Sequence, residues 1–149
     1  MINLLKHQIP GSQYLLDELS QIDNRRGSLI IGSTGCGKTF IIADAIKRAQ
    51  DMFPHYYKYS DNDMFRLHPI MVLTPRNAIT QQQRVMAQAG IKDVVVTSAD
   101  SLRAGYGDNY IDWNSELNPK TGEMDLVPHW REAEMPRVII FDECQYGKN

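Results

Sequence analysis

The apolar positions of this chain fall into two alternating kinds of run. Leu29–Gly32 (LIIG), Ile70–Thr74 (IMVLT), Asp93–Thr97 (DVVVT) and Val138–Phe141 (VIIF) are short, nearly continuous and rich in β-branched residues. Phe40–Ala49 (FIIADAIKRA) and Ala78–Ala89 instead space their apolar residues at helical intervals. Short continuous Val/Ile runs read as strands covered on both faces, the habit of parallel sheets. Strand and helix therefore alternate, which predicts an α/β, doubly wound architecture: a mostly parallel sheet flanked by helices. No internal repeat or low-complexity tract interrupts the pattern.

Two connections are too long for plain loops. Asp51–Pro69 (DMFPHYYKYSDNDMFRLHP) interleaves aromatics with Lys58 and Arg66. A helix extension whose tyrosines pack on the sheet edge accounts for it better than stacking on bases does. The second runs from about Arg103 to Pro136. Within it, LNPKTGEM places Pro119 at a turn entry and Gly122 where a left-handed residue is wanted, so a β-hairpin is expected around 110–128. Such an insertion is more often a decorated edge than a substrate-contacting element.

Composition narrows the picture without redrawing it. A length of 149 residues implies one domain with a single core. A formal net charge of −2 argues against coating nucleic acid by bulk positive charge, while leaving room for a local basic patch. Two cysteines make no disulfide framework, and four histidines show no metal-ligand spacing. Neither a signal peptide nor an apolar run of membrane-spanning length is visible, so a cytoplasmic protein without a membrane partner is expected.

The candidate chemistry begins at LIIGSTGCGKTF. Gly32, Gly37, Lys38 and Thr39 match G-x-x-x-x-G-K-[ST], between an expected strand and an expected helix. Glycines let the backbone curl close to phosphates, and successive N–H groups from Gly32, Ser33, Thr34, Gly35, Cys36 and Gly37 can form an anion nest. A helix starting near Lys38 adds its positive dipole end. The Lys38 ammonium would reach the β- and γ-phosphates of ATP, and the Thr39 hydroxyl would ligate Mg²⁺. The second feature is VIIFDEC, which puts Asp142 and Glu143 at the carboxyl end of a buried strand, where open α/β sheets bind ligands. Adjacent carboxylates there favour a cation. Asp142 would hold Mg²⁺ and Glu143 would polarise the attacking water as general base. Cys36 and Cys144 lie inside these two stretches as small space-filling side chains.

With those residues in place, the chain resembles the first RecA-like domain of superfamily two helicases and translocases, from about Leu4 to Gln145. GSTGCGKT resembles the family's phosphate loop. LLKHQ resembles its N-terminal element, with Gln8 as the implied adenine reader and His7 in place of the usual aromatic. VLTPRNAITQQ resembles motif Ia, with Pro75, Arg76 and Asn77 where the family writes Pro-Thr-Arg along the nucleic-acid backbone. VVVTSADSL resembles the T-x-x-S-L element, placing Thr97, Ser101 and Leu102 near the bound strand. DECQ stands for D-E-x-[HDQ], so Gln145 would sense the γ-phosphate and couple it to the strand. Gln in place of His keeps hydrogen bonding and removes titration near neutral pH.

The resemblance implies a RecA-like P-loop NTPase fold, ATP and Mg²⁺ as cofactors, and nucleic acid, DNA before RNA, as partner. It also implies more than residues 1–149 provide: a further strand with a Ser-Ala-Thr motif after the acidic one, and a second RecA-like domain with an arginine finger. The chain is therefore expected to be a partial domain, truncated after its acidic strand, whose remainder acts in cis or as another chain. Alone it should bind nucleotide weakly and hydrolyse it poorly, since such fingers are worth about 10³–10⁵ in rate. Alternatives are the ATPase of a viral DNA-packaging motor and a truncated, non-catalytic binding module. An unfilled slot beside the acidic strand would need a partner, a swapped dimer or a strand borrowed from Arg103–Pro136.

Overall fold

The computed structural model describes residues 2–22, 27, 37–58, 69–102, 111–131 and 136–142. In chain order the elements are α1 (Ile9–Leu19), α2 (Lys38–Met52), α3 (Pro54–Tyr57), β1 (Ile70–Leu73), a 3₁₀ turn (Arg76–Ala78) and α4 (Ile79–Gln88). After these come β2 (Val94–Thr97), one helical turn (Ala99–Ser101), β3 (Ile111–Leu117), β4 (Met124–Trp130) and β5 (Val138–Phe141). The expected strand Leu29–Gly32 lies outside the described residues. No helix among the described residues is long and apolar enough to cross a membrane.

Three strands form a parallel sheet in the order β2-β1-β5, with Val72 opposite Val96 on one side and Ile140 on the other. All four residues of the central strand β1 are buried, as a continuous IMVL run requires. Alternate residues serve two cores. Ile70 and Val72 join the main cluster with Leu16 and Leu19 of α1, Ile42, Ala45, Ile46 and Ala49 of α2, and Val85 and Met86 of α4. Met71 and Leu73 face the other way and pack with Leu102, Val95, Ile111 and Trp130. The alanines of α2 let that helix approach the sheet closely, with Ala43, Ala45 and Ala49 fully buried.

The strand β5, last in that order among the described residues, departs from the expectation of cover on both faces. Val138 and Ile140 pack into the main cluster, whereas Ile139 and Phe141 are 37% and 45% exposed. Among the described residues β3 and β4 pair only with each other, antiparallel, in a separate two-stranded sheet. This hairpin reaches Trp130, further than the turn signals indicated, because its last residues anchor on Met71 and Leu73. Its turn contains Gly122 at φ +73°, with the Gly122 N–H on the Asn118 carbonyl at 2.8 Å.

Two elements follow from local chemistry that apolar spacing did not separate. The helix α1, to which the periodicity assigned nothing, starts with Pro10 in its first turn and buries Ser12, Leu16 and Leu19. Ser12 donates to Asp44 Oδ2 of α2 at 2.5 Å, and Arg48 reaches Gln13 Oε1 at 2.9 Å. The aromatic stretch after α2 is structural as far as it is described. Tyr57 is 2% exposed, its hydroxyl donates to the Leu19 carbonyl at 2.5 Å, and its ring meets Tyr56 edge-on at 4.8 Å. Burial, then the neighbouring Tyr56, push the Tyr57 phenol up to about 12. Residues 59–68 of that stretch lie outside the described residues.

Candidate functional site

At the start of α2, Gly37 adopts φ +78°, ψ +38°, a left-handed conformation open to glycine at no steric cost. Its carbonyl accepts the Phe40 and Ile41 N–H groups at 3.0 and 3.2 Å, so it closes the first helical turn. Lys38 and Thr39 are the first two residues of that turn, and both are half-buried. The first N–H groups of a helix lack intrahelical partners, which together with the dipole suits an anion.

Gln8 meets this helix end from the N-terminal side. Its side chain is 5% exposed, and its Oε1 accepts the Leu5 N–H at 2.8 Å. That donor assigns the carboxamide, because only the oxygen can accept it, and leaves Nε2 turned toward Gly37. A Cβ added at Gly37 would collide with Gln8 Nε2. The fold thus brings the N-terminal glutamine onto the last glycine of the phosphate-loop motif. His7 beside it is exposed. Gly32, Ser33, Thr34, Gly35 and Cys36, the rest of that loop, lie outside the described residues.

A second group of candidate residues is at the carboxyl end of the parallel sheet. Asp142 follows β5, and its N–H continues the ladder by donating to the Leu73 carbonyl at 2.8 Å. The carboxylate Oδ2 accepts two hydrogen bonds, from Thr74 Oγ1 at 3.2 Å and from Gln82 Nε2 at 3.2 Å. Thr74 is held in turn by its N–H on the Thr97 carbonyl at 3.0 Å. Oδ1 takes no hydrogen bond among the described residues. Glu143, Cys144 and Gln145 lie outside the described residues.

Five further candidates line the same sheet end. Pro75 is half-buried, while Arg76 and Asn77 are exposed on the 3₁₀ turn between β1 and α4. Thr97 ends β2, and Ser101 donates its N–H to Ser98 Oγ at 3.0 Å in a one-turn cap. Parallel strands put all their carboxyl ends on one side, which is why residues from three separate stretches converge here.

Thr74 and Gln82 meet Asp142, although the motif reading of VLTPRNAITQQ gave roles only to Pro75, Arg76 and Asn77. Gln82 carries a legible signal, since it stands with Val85 and Met86 on the buried stripe of α4 yet is polar. A single carboxylate suits Mg²⁺, which keeps several waters and borrows phosphate oxygens as ligands. Among the described residues no three His, Cys, Asp or Glu side chains gather as a protein-only metal cage.

Comparison with known proteins bears on the family of the chain. A family model described as "Type III restriction enzyme, res subunit" matches residues 1–147. No curated protein and no solved structure matches the chain.

Proposed function

The chain belongs to the type III restriction enzyme res-subunit family, the N-terminal RecA-like domain of superfamily two helicases, and from that premise we propose that it forms the ATP-binding part of a nucleic-acid motor. The family is one of ATP-dependent helicase and translocase domains, which use nucleotide and act on nucleic acid with a further domain. The observation that carries the finer reading is the contact between Gln8 and Gly37. An N-terminal glutamine, the last loop glycine and the positive end of α2 converge at one point, which is the construction a triphosphate needs.

In this reading Lys38 neutralises the β- and γ-phosphates, and Thr39 with Asp142 holds the accompanying Mg²⁺. The ion, when bound, neutralises charge that develops on the phosphoryl oxygens. Glu143 takes the proton of the attacking water, and Gln145 links the γ-phosphate to the strand-binding surface. Gln8 acts first as a brace for Gly37, because its carboxamide oxygen is already engaged by Leu5. Pro75, Arg76, Asn77, Thr97 and Ser101 face the nucleic-acid backbone, DNA in preference to RNA. Stimulated turnover requires an arginine from a second RecA-like domain, in cis or on another chain.

The test is steady-state ATP hydrolysis by the purified chain, with and without single- and double-stranded DNA or RNA, against Lys38→Ala. Turnover that rises with nucleic acid and vanishes in the variant supports the motor. Lys38-dependent binding of fluorescent ADP without turnover supports the nucleotide site and leaves turnover to the second, arginine-bearing domain. Loss of both sinks the reading.

A further inference from the structure

We propose that Gln82 is a positioning residue for the Asp142 carboxylate. With Thr74 it ties one carboxylate oxygen to the protein and presents the other to the divalent cation of the nucleotide. The inference rests on the nucleotide-site reading above and gives a role to two residues of the VLTPRNAITQQ stretch that the resemblance left without one.

Three observations carry it. Gln82 is fully buried on the face of α4 that also buries Val85 and Met86, where packing alone favours a leucine or methionine. Its Nε2 donates to Asp142 Oδ2, and a carboxylate only accepts, so the orientation of the carboxamide is determined by its partner. The other end, Oε1, is buried with no hydrogen-bond partner among the described residues. A half-satisfied buried amide lowers stability, so its presence calls for a reason other than packing.

The chemistry of the pair supplies that reason. Both donors, Thr74 Oγ1 and Gln82 Nε2, end on the same oxygen, Oδ2. Both are neutral. They fix the plane of the carboxylate without cancelling the charge that attracts a cation, whereas a Lys or Arg in either place would compete with the metal. Hydrogen-bonded carboxylates of this kind hold metals in a set direction, and loss of the supporting group weakens affinity. Gln82 also sits on the helix that continues directly from the exposed turn Arg76–Ala78. A strand bound at that turn is thereby joined to Asp142 through one rigid element.

The experiment is Mn²⁺ binding in the presence of ADP, followed by electron paramagnetic resonance on the full chain, with thermal melts and metal-free ADP binding measured alongside. Gln82→Met preserves length and volume and removes both polar ends. The expected result is a Mn²⁺ dissociation constant raised about tenfold, with metal-free ADP binding unchanged and Tm held or raised. Unchanged Mn²⁺ affinity overturns the proposal. So does a loss of Mn²⁺ affinity that comes with matching losses of Tm and metal-free ADP binding, because that is collapse of the site. Should Gln82→Met not fold, Thr74→Val removes the other donor from the same oxygen and is judged by the same readings. A wild-type chain that holds Mn²⁺·ADP no better than Lys38→Ala overturns the nucleotide site itself, and the positioning role with it.

Discussion

The parallel sheet and the hairpin are both built from β-forming sequence, yet they are held in opposite ways. β1 is buried along its whole length and serves a core on each face. The hairpin β3–β4 has one apolar face, formed by Ile111, Trp113 and Leu117 opposite Trp130, Pro128 and Met124, with Leu126 between. That face changes character along its length. Ile111 and Trp130 close the second core, whereas Leu117, Met124 and Leu126 are 64%, 62% and 67% exposed. The opposite face carries exposed pairs, His129 with Glu116 at 2.5 Å and Arg131 with Asp112 at 2.8 Å. The difference teaches that period-2 patterning specifies which residues share a face, and that burial then depends on what lies opposite.

The sharpest contrast is in core deletion. Ile70→Ala in the central strand should cost about 3 kcal/mol in urea unfolding, while Leu126→Ala at the hairpin tip should stay within about 0.5 kcal/mol. Equal effects would mean that the hairpin is covered in solution. Next in size is Trp130→Ala, which removes the hairpin's hold on Met71, Leu73 and Leu102. It should cost about 2 kcal/mol and raise hydrogen exchange through β3 and β4 before it does so in β1. If exchange rises in both sheets together, the two are a single cooperative unit.

Tyr57 tests the core side by pH. Its phenol titrates near 12 in the fold against 10.0 unfolded, so the unfolded chain loses the proton first. Stability should be full below pH 10 and fall as pH rises from there toward 12. Tyr57→Phe should flatten that fall and cost about 1 kcal/mol at neutral pH through the lost bond to the Leu19 carbonyl. Gly122→Ala meets open space but a strained φ of +73°. About 1 kcal/mol of strain is expected at that position, read as faster exchange at the turn with little change in global unfolding. Smallest of all is Glu116→Gln, which weakens an exposed pair and should shift unfolding by about 0.3 kcal/mol. A larger shift there would show that the hairpin's polar face makes contacts the free chain lacks.

Much of the parallel sheet was legible because a buried parallel strand leaves a continuous Val/Ile signature. The runs at Ile70, Val94 and Val138 lie within a residue of the observed strands. The helix α2 starts at Lys38 because Gly37 reverses the chain there. α1 was not legible as an element, since it buries only Ser12, Leu16 and Leu19 and owes its place to α2. Within the candidate site, Lys38, Thr39 and Asp142 follow from motif chemistry, and the family match over residues 1–147 agrees with the fold those motifs imply. Thr74 and Gln82 did not follow, although both lie within VLTPRNAITQQ, because their common partner Asp142 lies 68 and 60 positions away.

By itself, then, the sequence determined the alternation of strand and helix, the parallel class of the sheet and the residue types at the phosphate-loop helix. These depend on interactions within a few positions, namely periodicity, β-branching and a glycine free to turn left-handed. Only the tertiary structure decided that Gln8 presses on Gly37, that Gln82 and Thr74 meet on one oxygen of Asp142, and that one apolar hairpin face packs on the sheet at its Ile111–Trp130 end alone. Those outcomes depend on contacts across many tens of residues, and which groups meet there is settled by packing the whole core, not by local preference.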